Sequence, residues 1–184
     1  MAVEALHRIS PDEYRRLIEA SVFDEDARIE LIDGLLLDMS PKTRAHENAV
    51  AWLNRYLVLN VDPERYEVRV AAPLTIGTSE PEPDLAVIPY SALRPHHPAT
   101  AELVIEIVVS SLRRDLTDKP PIYASAGIPT YWAIDLEGRR AVTHASPQND
   151  RYATVDVIAA EGDLVSPELG LQASLPQLFA AAAR

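Results

Sequence analysis

The run ELVIEIVV, residues 102–109, sets an acid, Glu106, inside a stretch of Leu, Val and Ile that is otherwise continuous from 103 to 109. A short apolar run of this kind reads as a strand buried on both faces. An ionised carboxylate in such a strand is costly unless it is paired or coordinates a metal. The chain must therefore fold so that a compensating group reaches Glu106. A second run, PDLAVIP at 83–89, opens with Asp84 directly after Pro83. Lys119, the opposite charge such a site needs, follows Glu106 by thirteen positions. This trio is where function is to be sought.

Strand alternation puts Glu106 on the face of Val104 and Val108, opposite Ile105 and Ile107. If the Asp84 strand is its neighbour, both carboxylates reach one point near a strand end. Two carboxylates with water suit Mg²⁺ or Mn²⁺, hard cations that prefer oxygen. Such a cation polarises a phosphoryl oxygen and acidifies bound water. A lysine beside it stabilises developing negative charge. Simpler roles stay open: Asp84 as a strand-entry residue, Glu106 in a buried salt bridge to Arg113 or Lys119, and Lys119 solvated and paired with Asp115 at i,i+4.

Around this centre, Ser10, Pro11 and Glu13 form a capping box that opens a helix. Asp33-Gly34 marks a hairpin within ARIELIDGLLLDMS, and Val50, Leu53, Tyr56 and Leu57 make a helical stripe. RYEVRVAAPLTI alternates as a strand as far as Gly77. After the ELVIEIVV strand, a helix is expected from about Lys119 to Ala126, stopped by Gly127. TYWAID, AVTHAS and YATVDVIA read as strands, and LPQLFAAAA as a closing helix. The order helix–strand–strand–strand–helix–strand predicts an α/β fold with a mixed sheet. The N-terminal hairpin and C-terminal strands should extend that sheet or pack against it. One domain is expected over residues 1–184.

Several classes fall away. There is no cysteine, so disulfide frameworks and thiolate metal sites are excluded. Six glycines include no phosphate-binding loop. No stretch approaches the ~20 apolar residues of a membrane span, and no signal pattern opens the chain, so a cytoplasmic location is expected. A net charge of −11 opposes stable nucleic-acid binding, although Arg113, Arg114 and Lys119 cluster near the acids and Arg139 pairs with Arg140. His96 and His97 read as surface. Trp52, Trp132, Tyr123 and Tyr131 read as core or subunit-contact residues. Closed twofold dimers are the commonest oligomer, and a homodimer is expected.

Asp84…Glu106…Lys119, with Pro83-Asp84 as its opening element, resembles the PD-(D/E)XK phosphodiesterase superfamily. More closely, ELIDG at 30–34, PEPDLAVI at 81–88, LVIEIVVS at 103–110 and RRDLTDKPPIYASAGIPTYWAID at 113–135 resemble the Uma-two family of restriction endonucleases. The similarity runs from about Pro11 to Phe179. It implies a restriction-endonuclease-like core with Mg²⁺ (or Mn²⁺) held by Asp84 and Glu106. The lysine usually found two residues after the second acid is Val108 here, and Lys119 from the following helix takes its place. Glu30 matches a further catalytic acid, and His46 a supporting histidine. The implied substrate is nucleic acid, with DNA expected.

The chain also departs from its relatives. Leu35 stands where an acid is frequent, and the segment after Glu106 lacks the usual Ser-Pro-Ser run. Pro120-Pro121 directly follows Lys119, so the helix must begin at about Asp118 or Lys119. Glu30 reads otherwise as a partner of Arg28 or Arg55. Two functions follow: a metal-dependent endonuclease hydrolysing phosphodiester bonds, or a catalytically inactive interaction or assembly module. The acidic surface and double proline favour the second; the retained acids favour the first, which is the expected one.

Overall fold

The computed structural model describes residues 6–24, 26–91, 96–108 and 114–184. Arg113, the Arg114 side chain and part of the loop around residues 90–100 lie outside the described residues.

Helix α1 (Pro11–Glu19) starts at the capping box: the Ser10 hydroxyl accepts from Glu13 N–H, and the Glu13 carboxylate accepts from Ser10 N–H. Strands β1 (Ile29–Ile32) and β2 (Leu35–Asp38) form a hairpin. Asp33 and Gly34 turn it with φ of 47° and 74°, the pair of positive values a two-residue I′ turn requires. Helix α2 (Arg44–Asn60) buries His46, Ala49, Leu53 and Leu57. Then come β3 (Tyr66–Val70), β4 (Leu85–Pro89) and β5 (Leu103–Val108). A wide helical turn over Arg114–Asp118 leads into α3 (Lys119–Ser125), followed by β6 (Thr130–Asp135), β7 (Arg140–Gln148) and β8 (Arg151–Ala159). A small hairpin, β9 (Asp163–Ser166) and β10 (Leu171–Ser174), precedes α4 (Leu175–Ala182).

Strands β3 to β8 form one six-stranded sheet in sequence order. The β5–β6 pair is parallel and its neighbours are antiparallel, so the sheet is mixed. Parallel neighbours need a crossover, and α3 supplies it. Thus β7 and β8 extend the sheet, while the N-terminal hairpin stays a separate ribbon, bridged to the chain at Leu31 and Glu80. The third expected strand ends at Val70 rather than near Gly77. Ala71 adopts a φ of +45°, which breaks the ladder, and Pro73 has no N–H to resume it.

Both β5 and β6 are buried at every position. On one sheet face Leu85, Val87, Ile105, Ile107 and Trp132 pack with residues of α2 and α4. On the other, Ala86, Val104, Val108 and Tyr131 pack with Ile32 and the α3 residues Ile122 and Tyr123. Alternation therefore sends Glu106 to the face shared with α3 and the hairpin. Among the described residues, no helix is long and apolar enough to cross a membrane.

Backbone contacts clamp the hairpin turn: Ile9 N–H donates to Gly34 C=O, and Gly34 N–H donates to Thr78 C=O, both at 3.0 Å. A Cβ on Gly34 would lie 2.7 Å from Arg8 Cβ and 3.0 Å from Ile9 O. Gly34→Ala combines that clash with a left-handed backbone, and should cost about 1–3 kcal/mol in urea unfolding. A loss below about 0.5 kcal/mol, the scale of a neutral surface change, would contradict the clamp.

Candidate active site

Antiparallel register pairs Leu85 with Ile105, and the next step along both strands sets Asp84 opposite Glu106. Asp84 Oδ2 accepts from Ile107 N–H at 2.8 Å, so the carboxylate caps the ladder where β4 begins. Its Oδ1 lies 2.9 Å from His46 Nε2. His46 sits in the first turn of α2, where its own N–H donates to the Thr43 hydroxyl of the N-cap.

Glu106 Oε1 accepts from Lys119 Nζ at 2.7 Å and from the Tyr123 hydroxyl at 2.9 Å. Lys119 and Tyr123 are four residues apart on α3, so one helix face presents both donors. Lys119 Nζ is also 3.1 Å from Glu30 Oε2 and 3.4 Å from Asp115 Oδ1. Glu30, Glu106, Asp115 and Lys119 are each at most 5% exposed, so these charges meet away from bulk water. Glu30, Asp84, Glu106, Lys119 and His46 all line one pocket of about 50 Å³, together with Arg28, Glu82 and Asp115.

The double proline does not turn Lys119 away. Helix α3 begins at Lys119, so Pro120 and Pro121 fall in its first turn, where a missing N–H breaks no helical bond. Lys119 does pair with Asp115 at i,i+4, but in a buried site rather than a solvated one. It is also a cationic partner of Glu30. Two site residues were missed in the sequence. One is Tyr123, expected as a core or subunit-contact residue; its spacing of four from Lys119 is the available signal. The other is Asp115, expected only as the partner of a solvated lysine. His96 is exposed, His97 is half-buried, and neither lines this pocket.

Glu30, Glu106 and Asp115 share a single ammonium, with Asp84 lining the same pocket, and the electrostatics follow. Burial raises the Glu106 carboxyl well above its ordinary 4.5; Lys119 opposes the rise, and Asp115, Asp84 and Glu30 add to it. Burial alone would lower Lys119, but Glu106, Glu30 and Asp115 outweigh it and raise the ammonium above 10.5. Lys119 thus remains a cation at neutral pH. Burial, then the Glu106 charge, raises Tyr123 well above 10.0, so its hydroxyl stays a donor.

No three His, Asp or Glu side chains among the described residues converge as a metal-holding group. The donor chemistry nonetheless fits a hard divalent ion. Asp84 and Glu106 offer carboxylate oxygen at a shared pocket, with more negative charge than one lysine balances. Mg²⁺ is commonly bound through one or two carboxylates while keeping several waters.

With a mixed six-stranded sheet, Asp84 at the mouth of β4, Glu106 within β5 and a lysine from the crossover helix, the chain has a nuclease-like α/β fold. The chain belongs to the Uma2 family, described as "Putative restriction endonuclease", whose profile matches residues 11–178. It is similar in fold to a crystal structure described as "a putative nuclease belonging to DUF820" from Anabaena variabilis. The TM-score is 0.72, at 16% identity, over 95% of this chain and 99% of that one. No curated protein matches the chain in sequence.

The raised Glu106 carboxyl has a defined pH signature. The native state binds that proton more tightly than the unfolded chain, so without divalent metal its contribution favours the fold below pH 4.5. That contribution is lost as the pH rises from 4.5 through the raised value. Urea unfolding of wild type and Glu106→Gln across this window should show the Gln variant gaining relative stability as pH rises. A difference that does not change with pH would contradict the assignment.

Proposed function

We propose that this family member is a divalent-metal-dependent endonuclease that hydrolyses nucleic-acid phosphodiester bonds, DNA being the expected substrate. The observation that carries the reading is the buried pocket in which Glu30, Glu106 and Asp115 share the Lys119 ammonium beside Asp84. Mg²⁺ or Mn²⁺ held by Asp84 and Glu106 would supply Lewis acidity toward a phosphoryl oxygen and lower the pKa of a bound water. The protein's own groups prepare that site. Ile107 N–H and His46 orient Asp84, while Tyr123 and Lys119 both hold Oε1 of Glu106. Glu30 keeps the ammonium inside the pocket and positions the attacking water. Lys119 then stabilises the negative charge that builds on phosphorus-bound oxygen during attack.

Burial raises the Glu82 carboxyl, and Lys42 and Arg28 lie near enough to oppose that rise, so they bring positive charge to the pocket's surroundings. With a chain charge of −11, contact with nucleic acid is expected to be transient. A cytoplasmic homodimer belongs to the same reading. The edge strand β8, with Val155 and Val157 exposed, is the surface such a dimer would cover.

One observation favours the alternative, an inactive interaction or assembly module. Lys119 already compensates Glu106, and no three donors converge among the described residues. Melting temperature against Mg²⁺ or Mn²⁺, beside cleavage of a labelled oligonucleotide, separates the two. Wild type should gain stability from the ion by mass action and cut. Glu106→Gln should lose both effects. Lys119→Gln, which keeps a donor but not the charge, should retain the metal effect and lose about 10²–10³ in turnover. Wild type that gains no stability and cuts nothing would leave the module reading.

A further inference from the structure

We infer that a second pocket, adjoining the acidic one, is a subsite for a single unpaired nucleobase. The substrate class would then be nucleic acid with a single-stranded or extruded nucleotide beside the cleaved bond. This inference rests on the nuclease reading and deepens it. The pocket measures about 310 Å³ and is lined by His46, Val50, Ala51 and Asn54 of α2, Val70 at the end of β3, and Lys42.

His46 is the shared wall. It lines both pockets, and its ring lies 2.9 Å from Asp84, a proposed metal ligand. A phosphate seated against the acids would therefore have its neighbouring nucleotide at this second pocket. The connecting segment supports that path. Ser40 and Pro41 line the acidic pocket, and Lys42, next in the chain, lines the other. The exposed Lys42 ammonium is thus placed for the phosphate between them.

Helical geometry builds the floor. Positions 46, 50 and 54 recur at i,i+4, and 47 and 51 lie beside them on the same face of α2. Val50, Ala51 and Val70 offer aliphatic surface to the flat face of a base. Val70 is 43% exposed, so that surface is open to a ligand. The Asn54 amide carries both donors and an acceptor, and the Glu47 carboxylate adds an acceptor, which suits the hydrogen-bonding edge of a base. A base still paired inside a duplex cannot enter such a lateral pocket; it must be single-stranded or flipped out. The chain's charge of −11 also disfavours a grip made of many phosphate contacts, so a base-directed contact has more to contribute.

The test uses the full chain with short labelled oligonucleotides of three kinds: single strand, full duplex, and duplex with one unpaired nucleotide. Binding is read by fluorescence anisotropy with Ca²⁺, and cutting with Mn²⁺. Wild type should bind and cut the single strand and the interrupted duplex about tenfold better than the full duplex, the scale of one good pocket contact. Ala51→Trp, which fills the pocket from an exposed position, and Asn54→Leu should lose most of that advantage. Both should keep duplex cutting and the Mn²⁺-induced rise in melting temperature. Equal handling of all three substrates by wild type overturns the subsite while cutting keeps the nuclease reading alive. The same follows if both variants retain the advantage. Single-strand binding that Ala51→Trp abolishes, with no cutting and no Mn²⁺ stabilisation, overturns the nuclease reading and keeps the base pocket. Failure to bind any oligonucleotide overturns the subsite.

Discussion

The ion pair between Lys119 and Glu106 is the interaction on which the rest of the site depends. Strand β5 is buried at every position, so the Glu106 carboxylate is largely withdrawn from bulk water. Desolvating an ion costs several kcal/mol, and a partner at 2.7 Å with a second donor at 2.9 Å offsets that cost. Removing one partner of such a pair typically costs about 3–5 kcal/mol, whereas replacing both by apolar side chains is often neutral or stabilising. The pair is therefore weak evidence of a stabilising device. A buried strand could have carried an aliphatic residue here, and the surrounding acids make the acid at 106 more costly still. Chemistry is the better account of why it is present.

The topology and the site are one arrangement. The parallel β5–β6 pair needs a crossover, and the helix that makes it delivers Lys119 and Tyr123 to Glu106. The wide turn over Arg114–Asp118 brings Asp115 to the same ammonium. Pro120 and Pro121 fix the backbone at the start of α3, so they help define where Lys119 enters the pocket. The hairpin contributes Glu30, held in place by its turn contacts to Ile9 and Thr78 and by the bridge from Leu31 to Glu80. Four separate segments thus meet at one nitrogen atom.

Much of this was legible in the residues. An acid inside an aliphatic run required a partner, and alternation gave its face. The capping box at Ser10 and the Asp33-Gly34 turn were readable because local backbone chemistry dictates them. What stayed hidden was set at long range. The end of β3 depends on a positive φ at Ala71, a residue whose propensity gives no warning of it. The β9–β10 hairpin has strands of only four residues and no strong turn pair between them. Whether β1–β2 would join the sheet could not be decided from its pattern. Tyr123 was placed correctly in the core, but a buried tyrosine also needs a hydroxyl partner, and here that partner is Glu106.

The most direct test of the central claim is anomalous diffraction from crystals grown with Mn²⁺. The account predicts one strong peak in the acidic pocket, within about 2.0–2.3 Å of oxygens from both Asp84 and Glu106, with waters completing the shell. Lys119 should remain in the pocket beside it. No peak there at saturating Mn²⁺, with Lys119 alone still compensating Glu106, would contradict a metal-dependent nuclease centre.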